Sequence, residues 1–143
     1  MYLRDASSQY KETQVKTANQ GKLIVMLYDG AIKFLKLAID SLPDKKYDIV
    51  NNNIIKTQDI ISELMLSLNF EVGEFADKLY SLYVYINKKL VEGNIKKNAE
   101  PLQEVVKYLN ELKDAWQQVS AVSTKNDDMD IDSDQIGGVN LRS

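Results

Sequence analysis

The side chains that most often carry out acid–base and metal chemistry are missing from this chain, which contains no cysteine and no histidine. Disulfides, thiolate nucleophiles and the commonest general base are therefore unavailable. Chemistry would have to come from carboxylates, lysines and tyrosines. The sequence contains neither a glycine-rich phosphate loop nor a Gly-x-Ser-x-Gly nucleophile elbow. We therefore expect a protein that is not an enzyme and that uses no cofactor and no metal.

The most suggestive spacing of carboxylates lies near the C-terminus, where four aspartates alternate between positions 128 and 134. Alternating aspartates also begin the calcium loop of an EF-hand, which needs glycine at its sixth position and a bidentate glutamate at its twelfth. Those two positions are Ser133 and Val139 here. The spacing therefore predicts only a weak, nonspecific attraction for cations.

The element on which the rest of the chain depends is the segment 21–41, which is predicted to form a helix. When its residues are placed every ~100° around a helix, the charged ones fall within an arc of about 60°. These are Lys22, Asp29, Lys33, Lys36 and Asp40. Because the rest of the surface is apolar or small, this helix needs cover on nearly every side. The cover comes either from other helices of the chain or from a partner.

A second helix is predicted from Tyr47 onward, after a stop at Pro43. Its core stripe consists of Tyr47, Val50, Ile54, Ile61, Leu64, Met65 and Leu68. Four more apolar residues fall outside that stripe, namely Ile49, Ile55, Ile60 and Leu66. Single exposed apolar residues are normal on any protein surface. Four on one helix are more than packing against two neighbours requires.

Two further helices follow, with breaks predicted at Gly73 and again at Gly93. The third, about residues 74–92, is predicted to bury Phe75, Leu79, Leu82, Tyr83, Ile86 and Leu90, and Tyr85 lies in the middle of its charged outer face. The fourth begins near Pro101 and turns Leu102, Val105, Val106, Leu109, Leu112, Trp116 and Val119 inward. Four helices with short connections predict an all-α, antiparallel four-helix bundle.

We expect a helical bundle over residues 1–123 and a disordered acidic tail over 124–143. The segment 1–19 is predicted to be a short lead-in, with a small capping helix as the alternative. The bundle carries as many basic as acidic residues, and the net charge of −3 lies in the tail. A bundle without net charge lacks the excess of basic residues that binds nucleic acid or an anionic membrane surface. No apolar run is long enough to cross a membrane, so we expect a cytoplasmic (cytosolic) protein without stable membrane insertion.

Several short stretches, taken in order, resemble the flagellar export chaperone family called FliS. The resemblance covers about residues 10–119. It rests on Tyr10 with Val15, Thr17 and Ala18; on Leu23, Met26, Leu27, Tyr28, Asp29 and Gly30; on Ser67-Leu68-Asn69-Phe70-Glu71 with Gly73 and Glu74; on Leu82, Tyr83, Tyr85, Ile86, Lys88, Lys89 and Leu90; and on Ala115-Trp116. Two positions depart from the family pattern, since Gln20 stands where proline is common and Glu74 where a second glycine is common.

The resemblance implies a helical bundle without catalytic activity that binds the C-terminal segment of flagellin in apolar grooves. It also implies that such a chaperone prevents premature polymerisation and delivers flagellin to the export gate of the flagellar type III apparatus. The residues expected to contact flagellin are Tyr10, Ile24, Leu27, Tyr28, Ala31, Leu35, Ile49, Ile60 and Tyr85. For the residues of the central helix, a position in the core of the bundle is an equally good interpretation.

Two other hypotheses remain open. A self-associating structural bundle would pair its apolar grooves with a second copy, as a homodimer. A regulatory adaptor would instead act through its acidic tail and would not need to bind flagellin.

Overall fold

A computed structural model of the chain describes the backbone of residues 20–68 and 73–134, and the side chains of these residues as far as Gln118. Four α-helices make up nearly all of these ranges: α1 (Gln20–Ser41), α2 (Tyr47–Leu66), α3 (Glu74–Lys96) and α4 (Ala99–Asp134). The described ranges contain no strand. The predicted all-α architecture of four helices is confirmed.

By internal packing, the chain divides into two compact units. One comprises residues 26–113, with most of α1, all of α2 and α3, and the first part of α4. The described residues of the other are 20–25, at the beginning of α1, and 114–134, the remainder of α4. Helix α4 continues to Asp134, beyond the predicted end of the bundle at Ser123. The division of the chain at residue 123 stays a prediction, and residues 1–19 and 135–143 lie outside the described part.

The core of residues 26–113 is built from one stripe of each helix. Its largest buried side chains are Tyr28 and Leu35 of α1; Val50, Ile54, Ile61 and Leu64 of α2; Tyr83, Ile86 and Leu90 of α3; and Leu102, Val105 and Leu109 of α4. Asn53 and Thr57 are also buried on α2, and each donates a side-chain hydrogen bond of 2.9 Å to the backbone carbonyl four residues earlier. No buried side-chain polar atom lacks a partner in the described part.

Two residues predicted to point inward are exposed instead. Phe75 is 62% exposed because it lies in the first turn of α3, where Ala76 takes the buried position. Tyr47 is 43% exposed and begins α2, with the Lys97 ammonium 5.8 Å from the centre of its ring. Other predicted core residues are half-buried, namely Met65, Leu68, Leu82, Val106, Leu112 and Trp116, and the side chain of Val119 is outside the described part.

The two predicted glycine breaks have different outcomes. Gly73 precedes α3 with φ of 82°, a left-handed conformation that favours glycine. Gly93, however, lies inside α3, which continues to Lys96. The chain turns only at Lys97, which takes φ of 50°, and Asn98 then accepts a hydrogen bond of 3.1 Å from the Glu100 amide at the start of α4. The predicted break at Gly93 is therefore wrong, because that glycine provides space for a neighbouring helix.

Candidate functional site

The candidate contact residues of α1 lie mostly in the core. Ile24, Tyr28, Ala31 and Leu35 are buried, and Leu27 is half-buried. Tyr10 is outside the described residues. A partner could reach the buried four only if part of the chain moved away from them, so their role in binding stays a prediction.

Three consecutive residues of α1, Tyr28, Asp29 and Gly30, each meet a different helix. The hydroxyl of Tyr28 shares a buried hydrogen bond with the hydroxyl of Tyr83 on α3. Asp29 accepts a hydrogen bond of 3.0 Å from the ammonium of Lys113 on α4. A methyl group built on Gly30 would lie 3.4 Å from the Cδ1 atom of Ile60 on α2. This motif therefore ties the central helix to its three neighbours, a role that sequence reasoning missed.

The electrostatics of these contacts are consistent with a structural role. Burial, reinforced by the neighbouring Tyr28 hydroxyl, raises the pKa of Tyr83 far above its usual range, so this phenol remains neutral. The hydrogen bond from Lys113 lowers the pKa of Asp29, and Lys33, 3.4 Å away, adds to the effect. Neither group has the pKa near neutrality that general acid–base catalysis favours.

The candidates on α2 lie along the α1–α2 seam, which we define by Gly30 and Phe34 of α1 and Ile49, Lys56 and Ile60 of α2. Ile60 is half-buried beside Gly30, and the Lys56 ammonium lies 5.4 Å from the centre of the Phe34 ring. Ile49 lies three turns before Ile60 on the same edge of α2 and is 38% exposed. Both residues therefore lie outside the central core stripe, as predicted.

Tyr85 lies on a different edge of the protein, between α3 and α4. It is 37% exposed, and its hydroxyl donates a hydrogen bond of 2.6 Å to Glu104 of α4. Its ring meets the ring of Tyr108 edge to face at 6.0 Å, and the Lys89 ammonium lies 5.6 Å from the Tyr85 ring. The hydrogen bond to Glu104 raises the pKa of Tyr85. The structure thus does not bring Tyr85 together with Ile49 and Ile60.

A further set of exposed apolar residues follows one face of α2 and α3, and sequence reasoning found only part of it. The helical period places Ile55 and Leu66 of α2 off the core stripe, whereas the sequence analysis does not identify the residues of α3. These are Tyr80, Val84, Val91 and Ile95, all exposed. The spacing of Val84, Val91 and Ile95 at i, i+7 and i+11 is the signal that could have revealed a second stripe on α3.

The described part of the chain offers neither a metal site nor a membrane span. No group of three or more acidic residues there is arranged to hold a metal ion. None of the described helices is long and apolar enough to cross a membrane. The surfaces described above carry exposed apolar side chains, among them Ile49, Val84 and Ile95.

Comparisons with known proteins agree with this description. The family model described as "Flagellar protein FliS" matches residues 3–123. The flagellar secretion chaperone FliS of Bacillus subtilis (strain 168) is 36% identical over 118 residues, which cover 82% of this chain and 88% of the relative. FliSB of Pseudomonas aeruginosa is 34% identical over 125 residues, covering 84% and 99%. FliS of Salmonella typhimurium is 32% identical over 111 residues, covering 76% and 82%. The chain therefore belongs to the FliS family of flagellar secretion chaperones.

Proposed function

We propose that this chain is a cytoplasmic export chaperone that binds the C-terminal segment of flagellin and keeps it from polymerising before export. It then delivers flagellin to the export gate of the flagellar type III apparatus. Family membership supports the role in flagellar export. The observation on which the binding step rests is that the α1–α2 seam carries apolar side chains, Ile49 and Ile60, outside the core stripe.

The physical basis of binding is the burial of apolar surface that unassembled flagellin exposes. A segment that packs as an amphipathic helix in the filament has an uncovered apolar face in the monomer. Burying ~1,000 Å² of that face at about 25 cal/mol per Å² gives a gross gain of about 25 kcal/mol. Ordering the segment and restricting its motion offset much of this gain. The result is binding that is tight and still reversible at the export gate.

The free chain offers some candidates to a partner more readily than others. Ile49 and Tyr85 reach solvent, whereas Leu27 and Ile60 are half-buried. Tyr85 already binds Glu104, so replacing it disturbs the contact between α3 and α4 as well as any contact with flagellin. Ile49→Asp is consequently the cleanest single test, because it introduces a charge at an exposed position.

The experiment is a co-expression pull-down of the full chain with flagellin from the same organism, with and without the flagellin C-terminal segment. We expect capture only when that segment is present. Ile49→Asp should reduce capture at least about tenfold, because an unpaired carboxylate would have to be buried in the complex. Phe75→Asp is the matched control, since Phe75 is an exposed apolar residue in the first turn of α3, outside the α1–α2 seam. Capture of flagellin that lacks its C-terminal segment would refute the proposal.

The same preparations separate the two alternative hypotheses. A self-associating structural bundle predicts, in size-exclusion chromatography with light scattering, a dimer whose mass does not change when flagellin is added. The flagellin chaperone predicts a mass increase that depends on flagellin. A regulatory adaptor that acts through its acidic tail would lose its activity when residues 124–143 are deleted, whereas capture of flagellin on the helices would survive that deletion.

A further inference from the structure

The exposed apolar residues of α2 and α3 form a groove between these two helices, which we call the α2–α3 groove. Its walls are Ile55 and Leu66 of α2 and Tyr80, Val84, Val91 and Ile95 of α3. Ile95 is 77% exposed, more than any other large hydrophobic residue in the described part. From Ile55 to Leu66 the wall is about 16 Å long, at 1.5 Å per residue. The groove is therefore long enough for about three turns of a docked helix.

Two pairs of side-chain amides fix the register of the groove. Asn94 donates a hydrogen bond of 2.8 Å to Asn51, and Gln58 donates one of 2.9 Å to Asn87. The two helices are therefore antiparallel. Residues 51–58 of α2 consequently lie beside residues 87–94 of α3. Ile55 accordingly lies level with Val91, at one end of the Ile55–Leu66 wall, and these amides lie between the two apolar walls of the groove.

The amides leave hydrogen-bonding groups that a partner could use. Gln58 donates through its amino group in the pair with Asn87, so its own carbonyl and the Asn87 amino group are not used in that pair. The amino group of Asn51 is likewise not used in the pair with Asn94. A docked helix with polar residues beside its apolar stripe could bond to these groups, which is the usual arrangement at protein interfaces.

The charges beside the groove are mostly negative. Asp48 and Asp59 lie on the same face of α2 as Ile55, and Asp77 lies two turns before Val84 on α3. All three are exposed, and none takes part in an ion pair with another described residue. Lys88 is the one lysine of α3 on this side.

Of two further lysines nearby, only Lys97 adds its charge to the groove. The ammonium of Lys97 lies near the Tyr47 ring and donates to Asn94, and that of Lys56 lies over Phe34 on the opposite edge of α2. Three carboxylates therefore face two lysines, Lys88 and Lys97, along the groove, so its edge keeps a net negative charge and a partner with flanking positive charges fits it best.

From this apolar and acidic surface we propose that the α2–α3 groove is a second docking surface, which binds one basic amphipathic helix of a protein other than flagellin. It lies on the opposite edge of α2 from Ile49 and Ile60, so the two surfaces can be occupied together. A second copy of this chain is a poor occupant, because a twofold contact would bring the aspartates of one groove against those of the other. The inference does not depend on the proposed binding of flagellin.

The test uses two synthetic helical peptides of about 14 residues. Both carry leucines at i, i+3, i+7 and i+11, and they differ only in their flanking residues, which are lysines in one and glutamates in the other. Fluorescence anisotropy with the full chain measures both affinities. We expect the lysine peptide to bind at least about tenfold more tightly, and the preference to shrink as salt is raised, because salt screens exposed charges.

Variants then locate the binding. Val91→Gln should weaken binding of the lysine peptide about tenfold, since it removes apolar surface from the wall opposite Ile55 without adding charge. Asp59→Lys should reverse the preference between the two peptides. The matched controls on α1 are Leu37→Gln and Asp40→Lys, which should change neither affinity. Equal affinity for the two peptides, or an effect of the controls as large as that of the groove variants, would overturn the proposal.

Competition and mass measurements complete the design. The flagellin C-terminal segment should not displace the lysine peptide, and Ile49→Asp should reduce flagellin capture while leaving peptide binding unchanged. Displacement by flagellin would show that the two surfaces are one and would refute this proposal without refuting the proposed chaperone function. A dimer in light scattering that Val91→Gln dissociates would assign the groove to a second copy and would also refute it.

Discussion

Replacing Gly93 with alanine should destabilise the protein, although the same replacement stabilises most helices. A methyl group built on Gly93 would lie 2.5 Å from Cδ2 and 2.7 Å from Cγ of Leu102. Leu102 is buried, and its Cγ atom cannot swing away as the end of a long side chain can. Either Leu102 must leave its present rotamer or α3 and α4 must separate.

The size of the effect follows from two opposing contributions. Extra atoms in a packed core cost about 1 to 3 kcal/mol. Replacing glycine by alanine within a helix returns about 1 kcal/mol. Gly93→Ala should therefore lower the free energy of unfolding by about 1 kcal/mol, within a range of roughly 0 to 2. For a chain of this size that corresponds to a fall in Tm of about 3 to 5 °C.

Gly30→Ala is the matched comparison. Its methyl group would meet only the terminal Cδ1 atom of Ile60, at 3.4 Å, so the helix-propensity gain should prevail and raise stability by about 0.5 to 1 kcal/mol. Urea unfolding followed by circular dichroism measures both variants. When Gly93→Ala is added to a Leu102→Ala protein, it should no longer lower the free energy of unfolding, because the new methyl group then enters the space left by the leucine side chain. A Gly93→Ala protein as stable as Gly30→Ala would refute the reasoning.

Three further predictions concern the contacts that join the helices. Tyr83→Phe should cost about 1 kcal/mol through loss of the buried hydrogen bond to Tyr28. Because burial raises the pKa of Tyr83, only the unfolded chain releases this proton just above pH ~10. The free energy of unfolding of the wild type therefore falls as pH rises beyond that value. In alkaline urea titrations the free energy of unfolding of Tyr83→Phe should fall less per pH unit. Lys113→Ala should cost no more than about 1 kcal/mol at pH 7, because the pair with Asp29 is partly exposed. The lowered pKa of Asp29 means that this stabilisation is present above pH ~4 and is lost as pH falls below it. The free energies of unfolding of the wild type and Lys113→Ala should therefore converge in acid urea titrations. A difference that stays constant with pH would contradict the assignment. Lys97→Gly should raise the free energy of unfolding by about 0.5 to 1 kcal/mol, and Tm with it. Lys97 has φ of 50° at the end of α3, a conformation that glycine takes without strain. An unchanged Tm in thermal unfolding would show that the contact of the Lys97 ammonium with Tyr47 compensates for the strain.

The sequence pattern by itself determined the class of the protein and the faces of its helices. The 3.6-residue period places Val50, Ile54, Ile61 and Leu64 on one side of α2, and all four are buried. Proline and glycine also mark two of the turns correctly, at residues 43 and 73, because these residues restrict or free the backbone locally. Such features depend on neighbours in the chain and can therefore be read from it.

What only the tertiary structure decided is which neighbour each side chain meets. A helical wheel puts Ile55 and Ile60 outside the core, but the position of α1 and α3 decides that Ile60 lies in the α1–α2 seam and Ile55 in the α2–α3 groove. The sequence predicts a break at Gly93 because glycine frees the backbone locally. It does not reveal that Leu102 of another helix occupies the space beside this glycine. The pair Tyr28–Tyr83 joins residues that are 55 positions apart. These contacts depend on how the helices pack, which local periodicity does not specify.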